Sequence, residues 1–310
     1  MNIQSNAVSG SLASRVSEPR VISATQCMYW SVRRELWEHP SIYVAPLAVA
    51  ALALFGSLIE VLTLPRRLHG FLGTLDPAGQ HQIIEMPYDF AALLIMGTTF
   101  IVGIFYCLDA LHGERRDRSI LFWKSLPVSD LTSVLSKASI PLVILPLVTF
   151  ASTVALQCIM LLLASAVLLG SGLSVATYWQ HVSLFQMSVG LLYHLVTVHS
   201  LLWAPFWGWF LLVSAWARRV PFLWASVPLL AIGIVEKIAL NTSHFGAVLG
   251  SRIGGGAEMG SSPATGMSMA SLNHQTLGEF LVSPGLWIGL IIAAAFLAAA
   301  VRLRRYREPI

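Results

Sequence analysis

Charge is what this sequence has least of. Asp, Glu, Lys and Arg make up 11% of its 310 residues, against 56% hydrophobic residues and a mean hydropathy of +0.72, whereas an average soluble domain carries about 25% charged residues. The shortage excludes an ordinary water-soluble chain and points to a membrane protein. Cysteine is scarce too. Cys27, Cys107 and Cys158 show no CxxC spacing and no His-rich neighbour, which excludes a disulfide framework or a zinc site and leaves apolar packing. No HExxH, GxSxG or paired-glutamate motif of an intramembrane protease occurs. The only glycine-rich run, "GSRIGGGAEMG", lacks the Lys and Ser or Thr that hold phosphates in a P-loop. There is also no internal repeat and no apolar run after a basic start, so the expectation is an uncleaved first span that directs insertion.

What is present is a set of apolar runs near 42–64, 90–111, 139–169, 187–216, 221–240 and 284–301. Each is close to or above the roughly 20 residues needed to cross a hydrocarbon core of about 30 Å. The expected fold is therefore an all-α membrane protein with six spans. Residues 1–23 read as a polar, Ser-rich disordered tail and 24–310 as the membrane domain. Placing the N-terminus inside puts every Lys and Arg except Arg66, Arg67, Lys237 and Arg252 on the cytoplasmic side, so both termini are expected in the cytoplasm. The +4 net charge follows from that topology and is no sign of nucleic-acid binding.

Between and before the spans, local signals are specific. "ATQCMYWSVRRELWEHPSIY" reads as a short helix ending near Pro40, with Met28, Tyr29, Val32 and Leu36 on one face and Arg34 and Glu35 off it. It lies in the membrane interface or merely leads into the span. Arg33 and Trp37 belong to the same segment. Residues 65–89 read as a polar outer loop, and Pro141 and Pro146 predict a kink in the third span. Ser129 or Asp130 is the expected N-cap of the helix that enters it. "ARRVP" is a tight turn with Pro221 at a helix start. Trp216 and Trp224 fit an aromatic belt, while Trp203, Trp207 and Trp209 read as packing. Residues 241–283 read as a long outer loop with a low-complexity stretch and a bare Asn241-Thr242-Ser243 sequon.

Few polar residues lie inside the spans. Glu60, Asp109, Glu236 and Lys237 sit near span ends, where anchoring or helix-end pairing competes with a role on a transport path. His194 and His199 are five residues apart, about 140° around a helix, so they suit hydrogen-bonded packing better than one metal. Glu60, His194, His199 and Glu236 are the candidates for a substrate path.

The segment "GERRDRSILFWKSLPVSD" stands apart, charged at its start, aromatic in its middle and closed by Pro127. As a helix, Ser119–Leu126 would carry Ile120, Leu121, Phe122, Trp123 and Leu126 round most of its circumference, leaving Ser119, Lys124 and Ser125 between them. Such a helix needs burial on more than one side, and an exposed aromatic cluster marks a contact site. Glu114, Arg115, Arg116, Asp117 and Arg118 are either a solvated flank or a set of alternating charges that pairs with a partner or with the N-terminal helix.

With "RELWEHPSIYVAPL", "LLWAPFWGWFLLVSAWARRVPFLWA" and six spans in order, that segment resembles the permeases of ATP-binding-cassette (ABC) transporters with the type-2 membrane domain. The resemblance covers most of residues 25–310. It implies a half-transporter: two permeases, identical or paralogous, in membrane lipid, each docked on a separate cytoplasmic ABC ATPase that carries ATP and Mg. Residues Ser119 to Leu126, ended by Pro127, would be the coupling helix. The permease itself would be no enzyme and would hold no cofactor, and export is the expected direction. A membrane scaffold or sensor subunit that signals or remodels the envelope without moving a solute is the other reading.

Overall fold

The computed structural model describes residues 23–71, 77–119, 128–172, 174–242, 246 and 277–306. The N-terminal tail, most of the 241–283 segment and residues Ile120 to Pro127 of the expected coupling helix lie outside the described residues. No strand occurs among the described residues, and six helical segments are long and apolar enough to span a membrane. The chain is an all-α, multi-pass membrane protein.

Helix α1, Ala24–Glu38, is capped by Ser23, whose Oγ accepts the Gln26 N–H, and it stops before Pro40 as expected. The first span is α2, Ser41–Phe71, and the second is α3, Pro77–Ala110, continued by the short α4, His112–Arg116. Of the stretch 65–89 expected as a loop, residues 65–71 belong to α2 and 77–89 to α3, with Pro87 inside α3, while 72–76 lie outside the described residues. Outside the hydrocarbon, water can satisfy the backbone groups that a proline frees.

The third span is α5, Asp130–Ser139, a π-helical turn at Ile140–Ile144, then α6, Leu145–Gly170. Ser129 caps α5 through the Thr132 N–H at 3.1 Å. Pro141 and Pro146 fall at the start of the π turn and of α6, so the expected irregularity takes the form of a widened turn. After α7, Val175–His181, the fourth span is α8, Leu184–His194, a second π turn at Leu195–Leu202, and α9, Ala204–Trp216. The two π turns meet, and Ser200 Oγ donates to the Leu142 carbonyl at 2.8 Å, as a freed backbone group in a membrane requires.

The fifth span, α10, runs Pro221–Leu240, and the sixth, α12, Pro284–Tyr306, follows the short α11, Leu277–Val282. Val220, before α10, takes a left-handed φ of 46° to make the tight turn. Helices α9 and α12 form the most extensive pair. Gly208 lets them approach, since a Cβ there would meet the Ala293 carbonyl at 3.1 Å. One core joins Ile42, Tyr106, Ile140, Leu145, Trp203, Trp207 and Leu211 toward the end of the bundle that carries Arg34, Lys137 and Arg304. A second, around Tyr88, Leu156, Leu161 and Tyr178, lies toward the other end, where the two tyrosine hydroxyls meet at 3.0 Å.

Candidate functional site: a buried charge network at the basic end

Four segments far apart in sequence converge where α1 docks. On α1, Val32 and Leu36 pack against the core and Glu35 is buried, so this face turns to the bundle. Arg34, on its edge, is braced by Glu38 one turn later through two hydrogen bonds of 2.8 and 3.1 Å. On α5, Lys137 lies in the last turn, buried with Val134 and Ala138. Arg304 lies in the last turn of α12 and is also buried.

Glu114, on α4, is placed by the end of α9. Ser214 Oγ accepts the Leu111 and His112 N–H groups at 3.0 and 2.9 Å, satisfying donors that the start of a new helix leaves open. Arg115 donates to the Ala215 and Ala217 carbonyls at 2.8 and 3.2 Å, a cation set at the C-terminus of α9. The end of α9 thus holds α4 by its backbone and by Arg115, leaving the next-door Glu114 aimed at the cations.

The resulting network is compact. Lys137 Nζ stands 2.8 Å from Glu35 Oε1 and 3.2 Å from Glu114 Oε1. Arg34 reaches the same Glu114 oxygen at 3.1 Å, and Arg304 reaches its other oxygen at 3.2 Å and Asp130 at 3.4 Å. Tyr106 donates to Glu35 Oε2 at 2.8 Å. Glu35, Glu38, Glu114 and Asp130 thereby face Arg34, Lys137 and Arg304, four carboxylates against three cations. Charges so buried are tolerated only when paired.

Burial by itself would raise the Glu35 carboxyl. The Lys137 ammonium, with help from Arg34 and Tyr106, outweighs it and holds that carboxyl below its ordinary value. For Arg34, burial works against the charge, but Glu38, Glu35 and Glu114 push it further up. These pairs join α1, α4, α5 and α12 to one another.

The expected flank divides in two. Glu114 and Arg115 are buried and belong to the network, whereas Arg116 and Asp117 are exposed, pair with each other at 3.1 Å, and Arg116 also approaches Asp109 at 3.8 Å. Arg118 takes a left-handed φ of 58° that turns the chain out of α4. Ser119, the first docking candidate, donates to the Glu114 carbonyl at 3.4 Å and so stands beside the network; Ile120, Leu121, Phe122, Trp123, Lys124, Ser125, Leu126 and Pro127 lie outside the described residues.

The substrate-path candidates are not drawn together. Glu60 lies on α2 and Glu236 on α10, where it accepts from Thr242 at 3.0 Å. His194 caps the second π turn and His199 lies within it, so the pair five residues apart falls on one side of the fourth span, away from both glutamates in sequence. His199 packs among Phe100 and Trp207, ring centroids 6.0 and 5.5 Å away. Among the described residues, the His, Cys, Asp and Glu group close enough to share an ion is Glu35, Glu38 and His39. Lys137, Tyr106 and Arg34 already engage its two carboxylates.

Sequence reasoning missed Lys137, Arg304, Asp130, Tyr106 and Ser214 as members of a site. One signal was available: Lys137 stands against the apolar run "ASIPLVILP", where a charge calls for a buried partner. Comparison with family models, curated proteins and solved structures found no match.

Proposed function

We propose that the chain is the membrane-spanning permease of a type-2 ABC transporter, working in the export direction, with a separate cytoplasmic ATPase docked on residues 119–127. The observation that carries this reading is the position of Glu114. It is tied to Arg34, Lys137 and Arg304 immediately before the docking segment, so a displacement of that segment is passed to α1 and to the third and sixth spans together. Stiff, paired links of this kind suit force transmission.

In this mechanism ATP, with Mg, binds on the partner ATPase, two ATPase subunits close, and the docking segments move with them. The network carries the motion into the bundle, and two permease halves rock about a shared interface to open a path to the other side. The permease supplies no catalytic group; it has two states, and nucleotide biases them. Spans α2 and α10 bury the least of their surface within the chain, leaving room for the second permease, identical or paralogous, and for lipid. The basic end faces the cytoplasm, with both termini, in the cell membrane.

Affinity purification of the full chain in mild detergent, with identification of the co-purifying chains, tests this reading. A P-loop ATPase should be among them. Its absence, together with no nucleotide-dependent transport in reconstituted vesicles, would overturn it.

A further inference from the structure

The face of α1 turned away from the bundle carries a feature that the charge network does not use. Arg33 lies between two exposed tryptophans, its guanidinium carbon 5.1 Å from the centre of the Trp30 ring and 5.3 Å from that of Trp37. The three residues follow the i, i+3, i+7 spacing of one helical stripe, nearly opposite Glu35. Trp37 is 75% exposed and Trp30 58%, large values for the most apolar of side chains. Among the described residues Arg33 makes no ion pair or hydrogen bond, and neither indole N–H has a partner. Its neighbour Arg34 is fully engaged.

Depth decides what this stripe meets. Glu35 fixes the other face of α1 to Tyr106 and Lys137, which lie at the ends of the second and third spans, so α1 lies beside the bundle at that level. From Trp37 the chain passes through His39 and Pro40 directly into α2, the first candidate span, whose first turns expose Tyr43, Val44 and Leu47. Tryptophan and a snorkelling arginine at that boundary match the headgroup region, with indole N–H groups facing the polar side. Attraction to the two rings restrains the guanidinium, whose N–H groups have no partner among the described residues, and a guanidinium fits phosphate oxygens.

We propose that Trp30, Arg33 and Trp37 form a binding site for the headgroup phosphate of an anionic phospholipid, whose acyl chains run along Tyr43, Val44 and Leu47. The occupant is lipid rather than a soluble anion because the site opens onto the hydrocarbon-facing surface of α2. The lipid fixes the depth and roll of α1, and through Glu35 the registry of the charge network. The site rests on the six-span fold and not on the transporter reading.

The test is native mass spectrometry of the full chain extracted from vesicles of equal phosphatidylglycerol and phosphatidylcholine, counting retained lipids. The wild type should retain phosphatidylglycerol preferentially. Arg33→Gln should lower that preference about fivefold, the factor for one basic residue at an anionic surface. Trp37→Phe should lower it less, and Arg302→Gln, an equal loss of charge at an exposed position, should lower it clearly less than Arg33→Gln. Three results would overturn the proposal: an unaltered preference in Arg33→Gln, an equal loss in Arg302→Gln, or a loss seen only together with dissociation of a dimer, which would assign the stripe to a second copy of the chain.

Discussion

Lys137 Nζ lies 2.8 Å from Glu35 Oε1, and each side chain retains only 2% of its exposure. The two residues are 102 positions apart, one on the helix that precedes the first span and one at the entry of the third. The contact makes α1 an integral part of the bundle. Neutralising one partner should leave the other buried with only its weaker contacts, Glu114 for Lys137 and Arg34 with Tyr106 for Glu35. Glu35→Gln and Lys137→Met should therefore each be destabilising, by less than the roughly 3–5 kcal/mol of a fully stranded buried charge. The double variant should cost clearly less than the sum of the two. Denaturation of the detergent-solubilised protein, read by circular dichroism and near-ultraviolet absorbance, gives the three values.

The same carboxylate sets a pH dependence. Because Lys137 and Tyr106 hold Glu35 below its ordinary value of 4.5, the stability it contributes is complete above that pH. That stability fades as the pH falls from there through the lower folded value. The wild type should therefore lose thermal stability on acidification, and its advantage over Glu35→Gln should narrow in that window. A difference in melting temperature between the two that stays constant down to strongly acidic pH would argue against a charged Glu35.

Glu114 is the hub, so Glu114→Gln should loosen α1 as well as α4. Cys27 provides the reporter, a free and half-buried thiol on α1, whereas Cys107 is fully buried. Maleimide labelling of Cys27 in a Cys158→Ser background should speed up several-fold in Glu114→Gln, while Asp117→Asn, an exposed neighbour outside the network, should leave the rate unchanged.

Ser214 holds the start of α4 through two backbone N–H groups. Ser214→Ala strands both donors in a buried place, and a buried unsatisfied group costs about 1–3 kcal/mol. Ser214→Thr, which keeps the oxygen, should recover part of that loss. Hydrogen exchange at Leu111 and His112 reads the effect locally.

Features set by neighbours in the chain were legible from sequence. The Ser129 cap, the stop before Pro40, Pro221 at a helix start and the irregular third span all depend on a few adjacent residues, and the six spans follow from run length. The polar stretch 65–89 reads as a loop by composition, but 65–71 and 77–89 belong to helices that project beyond the apolar windows. Glu114 and Arg115 were visible as charges, but their burial was not, since it depends on Ser214 and Ala215 about a hundred positions away. Arg304 and Lys137 looked like ordinary topological charges flanking spans. Only the folded arrangement of four segments makes them partners.

The central claim is that this chain receives its driving motion from a separate ATPase through residues 119–127. The most direct measurement is co-purification of that ATPase with the wild type and with a Phe122→Ala, Trp123→Ala double variant, membrane insertion being checked for both. The expected result is an ATPase bound to the wild type and lost from the variant, with the permease still in the membrane. Equal recovery of the ATPase with both, and unchanged coupling of its activity, would contradict the claim.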